Sequence, residues 1–349
     1  MPVRAVPTPT PRRAAALLLA ACLAGQPALA EPEVVNLYTA RHYQTDERLY
    51  SDFTKATGIA INRIEGKEDE IIERIRQEGA NSPADVLLTV DMGRLWRAEQ
   101  AGILAPLKSA VLEVRLPAHL RDPAGRWFGF STRARVIAYA RDRVKPDQVA
   151  TYDDLAAPAL KGKVCVRSGS HVYNLSLLAS MIAADGEEKA EAWARGVVAN
   201  FARPPQGGDT DQMKAIAAGQ CDVGLVNTYY YVRALNSPAA ADKAMVANLA
   251  VAMPGQQGRG THVNVSGAGL VKTAPHRAAA VRFLEYLAGD AAQIHFADGN
   301  NEWPAVAGLR TANPGLASLG TFKTDTIDLA LIGKHQARAQ AIFDKVGWK

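Results

Sequence analysis

The sequence predicts an α/β protein built as two lobes, and three observations carry that reading. The chain has 349 residues with 48% hydrophobic content, enough for about two domains that each bury a core. Short apolar runs of strand length alternate with segments of helical spacing, the pattern of α/β folds with largely parallel sheets. A polar, Gly-rich stretch at 254–260 interrupts the alternation, after which strand and helix patterns resume. Two lobes joined by crossings, with the chain returning late to the first, fit this order, and such lobes bind ligands in the cleft between them.

Residues 34–38 read as a first strand, 46–57 as a helix and 59–64 as a second strand. Residues 69–79 place Ile71, Ile72 and Ile75 at helical spacing, and 84–89 form an apolar run short enough for a buried strand. Residues 93–101 return to helix. Further on, 135–140 and 162–166 read as strands, 174–184 and 189–199 as helices, and 209–218 as a helix leading into a strand at 222–226. Residues 262–271 then look like strand and 278–288 like a strong helix.

The first thirty residues have the form of an export signal. Arg12 and Arg13 precede an apolar run at 14–25, and Ala28-Leu29-Ala30 supplies the small residues of a cleavage site, so the mature chain begins at Glu31. That run is too short to span a bilayer, and no later stretch reaches about 18 uninterrupted apolar residues. The segment Leu19-Ala20-Ala21-Cys22 also fits a lipoprotein signal, and Arg12-Arg13 a twin-arginine signal. Because Ala28-Leu29-Ala30 abuts the first strand, soluble export is the favoured reading over anchoring at Cys22. The formal charge of +5 falls to about +2 once Arg4, Arg12 and Arg13 are removed, and no basic run follows, which argues against a nucleic-acid partner.

With Cys22 removed, two cysteines remain, each beside a short β-like run. In an exported protein a Cys165–Cys221 bridge is expected, with two buried thiols as the alternative; two cysteines cannot make a structural zinc site. Enzyme signatures are missing: there is no G-x-S-x-G elbow, P-loop, H-E-x-x-H or strand-following G-x-G-x-x-G. Conventional metal motifs are missing too, since the seven histidines form no zinc-like cluster and no Asp-x-Asp-x-Asp loop occurs.

Tyrosine is distributed unusually. Arg41-His42-Tyr43 follows the first strand, Ser170-His171-Val172-Tyr173-Asn174 follows the Cys165 strand, and Asn227-Thr228-Tyr229-Tyr230-Tyr231 follows the Cys221 strand. In open α/β sheets the carboxyl ends of strands line the binding crevice, so these distant segments can converge there. A single such tyrosine is more often core than ligand; three clusters at equivalent strand ends weaken that ordinary explanation.

These segments, taken as Tyr38-Thr39-Ala40-Arg41-His42-Tyr43, Arg167-Ser168-Gly169-Ser170-His171-Val172-Tyr173-Asn174 and Asn227-Thr228-Tyr229-Tyr230-Tyr231, with Asp85-Val86-Leu87-Leu88-Thr89-Val90-Asp91 and Asn300-Asn301-Glu302-Trp303-Pro304, resemble the periplasmic ferric-iron-binding proteins of iron(III) ABC transporters. The resemblance covers essentially all of the mature chain and is closest to the tyrosine-rich, anion-independent subgroup. It implies the type II periplasmic-binding-protein fold, a monomer in the periplasm, Fe(3+) as the transported ligand, an inner-membrane ABC permease as partner, and no enzymatic activity. It further implies a signal peptide at 1–30, a first lobe of 31–131 plus 255–306, and a second of 132–254 plus 307–349. Position by position, Tyr43, Tyr173, Tyr229 and Tyr230 match the family's iron-binding tyrosines, and His42 matches a histidine that only some members use. Tyr231 has no implied role.

Elementary chemistry suits this reading. A phenol titrates near 10, so ionising one at pH 7 costs roughly 4 kcal/mol and four about 16 kcal/mol, which only a strongly Lewis-acidic cation supplies. Phenolate is a hard anionic ligand matched to Fe³⁺. Four phenolates on Fe³⁺ leave a net negative charge that Arg133 and Arg233 are placed to offset, with a surface or structural ion pair as the alternative for each. Two alternatives remain at this level. One is a same-fold binding protein for a small anion or organic solute, using the arginines and residues 168–170 as anion donors. The other is an exported enzyme using Ser170 with His171 or His262, disfavoured because adjacent residues rarely face each other as nucleophile and base.

Overall fold

The computed structural model describes residues 1–5, 33–41 and 43–349. Most of the expected export signal, Cys22 and His42 lie outside the described residues. The chain divides into two units, Met1–Glu31 and Pro32–Lys349, and all described strands and helices belong to the second. Among the described residues no helix is long and apolar enough to cross a membrane.

Among the described residues there are nine strands: β1 (Val34–Thr39), β2 (Ala60–Glu65), β3 (Val86–Val90), β4 (Phe128–Ala140), β5 (Val164–Cys165), β6 (Val223–Asn227), β7 (Leu249–Ala252), β8 (Val263–Leu270) and β9 (Trp303–Pro304). They run in the order β2-β1-β3-β8-β4-β6-β5, with β7 and β9 also on β4. The expectation of largely parallel sheets is corrected here. Pairs β1–β2, β1–β3 and β5–β6 are parallel, but β3–β8, β4–β8, β4–β6, β4–β7 and β4–β9 are antiparallel. The reason is β4 and β8, which run in opposite directions between the two halves and bring antiparallel edges into each.

β4 is the pivotal strand. Residues 128–134 pair with β8, whereas Arg135 onward pairs with β6 and β7. The sequence expectation began this strand at 135 and missed its first half, where Gly129 and the polar Ser131, Thr132 and Arg133 hide the apolar run. A β-branched, fully buried stretch such as Val86–Val90 explains why β3 was readable: buried on both faces, it shows no polar alternation.

Helices cover the sheet halves. Asp46–Thr57 buries Leu49, Tyr50 and Phe53 on one stripe and ends at Gly58, whose positive φ of 75° suits the left-handed cap. Phe53 meets Phe283 of the helix Arg277–Leu287 edge-on, with ring centres 5.0 Å apart. In the other half, Trp193, Phe201 and Phe343 gather around the fully buried Trp348. Behind that half's strand ends, Cys165 of β5 and Cys221, two residues before β6, form a disulfide with Cα atoms 5.9 Å apart.

Candidate metal centre

All three tyrosine segments leave the carboxyl ends of parallel strands, β1, β5 and β6. Tyr43 sits in the turn between β1 and the helix Asp46–Thr57. That turn is pinned: the buried Arg41 donates through Nε to Asp46 Oδ2 at 2.7 Å, and Asn300 Nδ2 donates to Asp46 Oδ1 at 2.7 Å. Tyr173 occupies the first turn of the helix Val172–Asp185, whose N-cap His171 accepts the Tyr173 N–H through Nδ1 at 3.2 Å. Tyr229 and Tyr230 open the helix Thr228–Asn236 directly after β6.

The segments converge. Tyr173 Oη and Tyr229 Oη share a hydrogen bond at 3.0 Å. The Tyr43 ring meets Tyr229 edge-on at 5.6 Å between centres, and Tyr229 lies 4.2 Å from Tyr230. Tyr231 does not join them. About 100° further round the helix, it is buried in the core and donates from Oη to the Leu249 carbonyl at 3.3 Å. The adjoining cavity, lined by Tyr173, Arg133, Arg135 and His262, holds only about 10 Å³.

Charge around the rings is divided. Burial, and then the neighbouring Tyr173 and Tyr43, raise the Tyr229 phenol well above its usual pKa. Burial and Tyr173 likewise raise Tyr230. Tyr43 is raised by burial and then by Glu302, to whose Oε1 it donates at 3.1 Å. Glu302 is fully buried and takes further hydrogen bonds from Ser131 at 2.5 Å and Ser266 at 3.1 Å. These phenols stay protonated at neutral pH unless a cation displaces the proton.

Cations surround the second group. The guanidiniums of Arg167, Arg135 and Arg133 lie 5.1, 5.8 and 6.0 Å from the centre of the Tyr173 ring. Arg133 is buried; burial by itself would ease its proton off, but Glu302 and Asp91 outweigh that and hold its charge more firmly than usual. Arg233 is exposed, bonds Thr210 Oγ1 at 3.1 Å and stacks over Tyr230 at 5.2 Å. Arg135 and Arg167 share the buried Asp209, at 2.5 and 3.0 Å, and Arg135 donates to Asn174 Oδ1 at 2.9 Å. Desolvation opposes ionisation of Asp209, but these two arginines win and hold its pKa low.

Sequence reasoning missed Glu302, Arg41, Arg135, Arg167 and Asp209. Arg135 had a usable signal, since it lies two residues from Arg133 on a strand and so shares its face. Glu302 was inside a quoted segment but carried no role. Among the described residues, no three His, Cys, Asp or Glu side chains gather as a conventional metal site would require.

The chain as a whole resembles known proteins. Residues 38–294 match the model of the bacterial extracellular solute-binding protein family. The chain is 54% identical over 319 residues to Iron uptake protein A1 of Synechocystis, covering 91% of this chain and 88% of that one. A Trichodesmium protein solved in complex with iron and citrate ligands is 52% identical and superposes with a TM-score of 0.86, over 90% of this chain and all of that one, 100%. A ferric binding protein from Campylobacter jejuni is 38% identical, with a TM-score of 0.87 over 90% of this chain and 100% of that one. These likenesses, at such identity and coverage, give the two-lobed α/β binding-protein architecture with a ligand cleft between lobes.

Proposed function

The chain belongs to the bacterial extracellular solute-binding protein family, and from that premise we propose that it captures ferric iron through tyrosine phenolates and delivers it to an inner-membrane ABC permease. The observation that carries the proposal is the convergence of Tyr43, Tyr173, Tyr229 and Tyr230, which leave three strand ends and meet ring to ring. Related proteins named for iron uptake and ferric binding, at 54% and 28% identity, support iron as the cargo. The four tyrosines are the proposed ligands. His42 is retained as a candidate fifth, and Arg133 and Arg233 as the charges that offset the ferric tetraphenolate.

We divide the mature chain into a first lobe of 31–131 plus 255–306 and a second of 132–254 plus 307–349; the change of β4 from β8 to β6 and β7 supports this. Tyr43 then comes from the first lobe and the other three tyrosines from the second, so a metal held by all four favours the closed form by its differential affinity. Fe³⁺ is the ion that does this, because each buried phenol needs a strong Lewis acid to lose its proton. Release follows when the ion loses charge or protons compete. No catalytic step is stored in such a site, and the protein acts in the periplasm as a monomer.

Visible absorption tests the proposal. Phenolate-to-Fe³⁺ charge transfer gives a red or orange protein after stoichiometric ferric citrate, and dithionite bleaches it. A folded but colourless protein under those conditions sinks the iron reading and favours a small-anion ligand.

A further inference from the structure

Where β4 leaves β8, the two strands that cross between the lobes reach the register pair Arg135 and His262. An antiparallel pair of this kind exchanges two reciprocal hydrogen bonds. Only one is direct: Arg135 N–H donates to the His262 carbonyl at 3.0 Å. The other is split by a side chain. Tyr152 Oη donates to the Arg135 carbonyl at 2.5 Å and accepts the His262 N–H at 3.2 Å, so one hydroxyl stands where the second ladder bond belongs. Tyr152 is buried, and its own carbonyl takes a hydrogen bond from Trp193 Nε1 at 2.8 Å, which ties the wedge to the second lobe.

We infer that Tyr152 is a positioning residue of the hinge, whose hydroxyl holds the two crossing strands in the closed arrangement that brings Tyr43 onto Tyr229. The inference rests on the iron reading for its main readout. Two reciprocal bonds fix a strand pair rigidly. One bond and a rotatable hydroxyl let the strands pivot about the Arg135 N to His262 O contact, at the expense of the longer His262 N–H to Tyr152 bond. The strands concerned carry Arg133 and Arg135, which lie against Tyr173, so the pivot communicates with the tyrosines. Without the hydroxyl, the Arg135 carbonyl and His262 amide either pair directly, carrying the ladder straight through the crossing, or stay buried without partners. Both outcomes disfavour the arrangement seen here.

The experiment compares the parent with Tyr152→Phe, each loaded from ferric citrate and mixed with excess EDTA. Iron leaves the variant about tenfold faster, with the absorption maximum unmoved because no ligand is touched. Dissociation within about twofold of the parent overturns the inference, and so does a shifted maximum, which would make the hydroxyl part of the coordination. Should the variant fail to fold, amide exchange in the parent decides. His262 N–H exchanges about tenfold faster after iron removal while the amide of Val271, which donates to the Asp85 carbonyl at 2.9 Å, does not, and equal protection in both states overturns the inference. A colourless parent sinks the iron reading instead; the inference then stands if Tyr152→Phe changes exchange at His262 by about tenfold in either direction and falls if exchange there is unchanged.

Discussion

The two sides of the tyrosine cluster are wired oppositely. Tyr173, Tyr229 and Tyr230 belong to a face crowded with guanidiniums, with Arg133, Arg135 and Arg167 around the Tyr173 ring and Arg233 over Tyr230. Tyr43 instead donates to a buried carboxylate, Glu302, with Arg41 stacked at 4.5 Å as partial relief. Positive neighbours favour the phenolate and a carboxylate opposes it. In the proposed site, therefore, the second lobe brings most of the guanidiniums, and Tyr43 is the ligand whose hydroxyl is tied to a competing carboxylate. A carrier that must close on its cargo and later release it gains from that asymmetry, because opening has to break only the weaker side.

Breaking the strong side gives the largest expected effect. Tyr229→Phe or Tyr230→Phe removes an anionic ligand while keeping the ring, and lowers ferric affinity by more than about hundredfold, since even outer-sphere changes at metal sites cost ten to a hundredfold. Competition with a chelator of known strength measures it, and the charge-transfer band weakens or shifts in parallel. Tyr173→Phe is expected to cost more than Tyr43→Phe, and His42→Ala less than either. A loss at Tyr43 exceeding that at Tyr229 would reverse the proposed asymmetry.

Glu302→Gln tests the weak side directly. Burial and then Glu302 raise the Tyr43 pKa, so protons recapture this phenol at a higher pH than they would without the carboxylate. Removing the carboxylate charge lowers that pKa, and iron is then retained to a lower pH, by about one unit or more in the midpoint of an acid titration of the visible band. A midpoint that stays put or moves upward would mean that Glu302 does not govern Tyr43.

Much of this was legible in the sequence because it depends on local pattern. The helix at 46–57 was bounded correctly by its apolar stripe and terminal glycine, and the tyrosines could be placed at strand ends by alternation alone. What escaped was set by long-range pairing. Glu302 meets Tyr43 across 259 residues of sequence, and Asp209 meets Arg135 across 74. Nothing local distinguishes a buried glutamate from a solvated one. The first half of β4 was lost for a related reason: Ser131 and Arg133 are buried against Glu302 and Ser266, so polar residues with long-range partners masked the strand.

Reduction separates the two sides by stability rather than affinity. The Cys165–Cys221 disulfide closes a loop of sequence separation 56 that lies behind the strands delivering Tyr173, Tyr229 and Tyr230. In the chain-entropy account a loop of that length is worth about 4 kcal/mol. The double variant Cys165→Ser, Cys221→Ser should unfold at correspondingly lower denaturant, yet keep the parent's absorption band below its melting temperature. Unreduced mass spectrometry of the parent should find the two peptides linked; two free thiols in periplasmic protein would remove the basis for the expectation.

The smallest effect belongs to Tyr231, and it calibrates the rest. A helix turns each successive side chain by about 100°, so the segment Tyr229-Tyr230-Tyr231 cannot aim three rings at one ion. The first two face Tyr173 and Arg233, whereas Tyr231 enters the core beside Val226 and Leu249 and donates to the Leu249 carbonyl at 3.3 Å. Tyr231→Phe keeps the packing and gives up one weak hydrogen bond, for a stability loss of about 1 kcal/mol. The visible spectrum and the iron affinity should both match the parent. If Tyr231→Phe abolished the band while Tyr230→Phe preserved it, the ligand register along this helix would be displaced by one residue, and the arginine-rich side would have to be redrawn around a different ring.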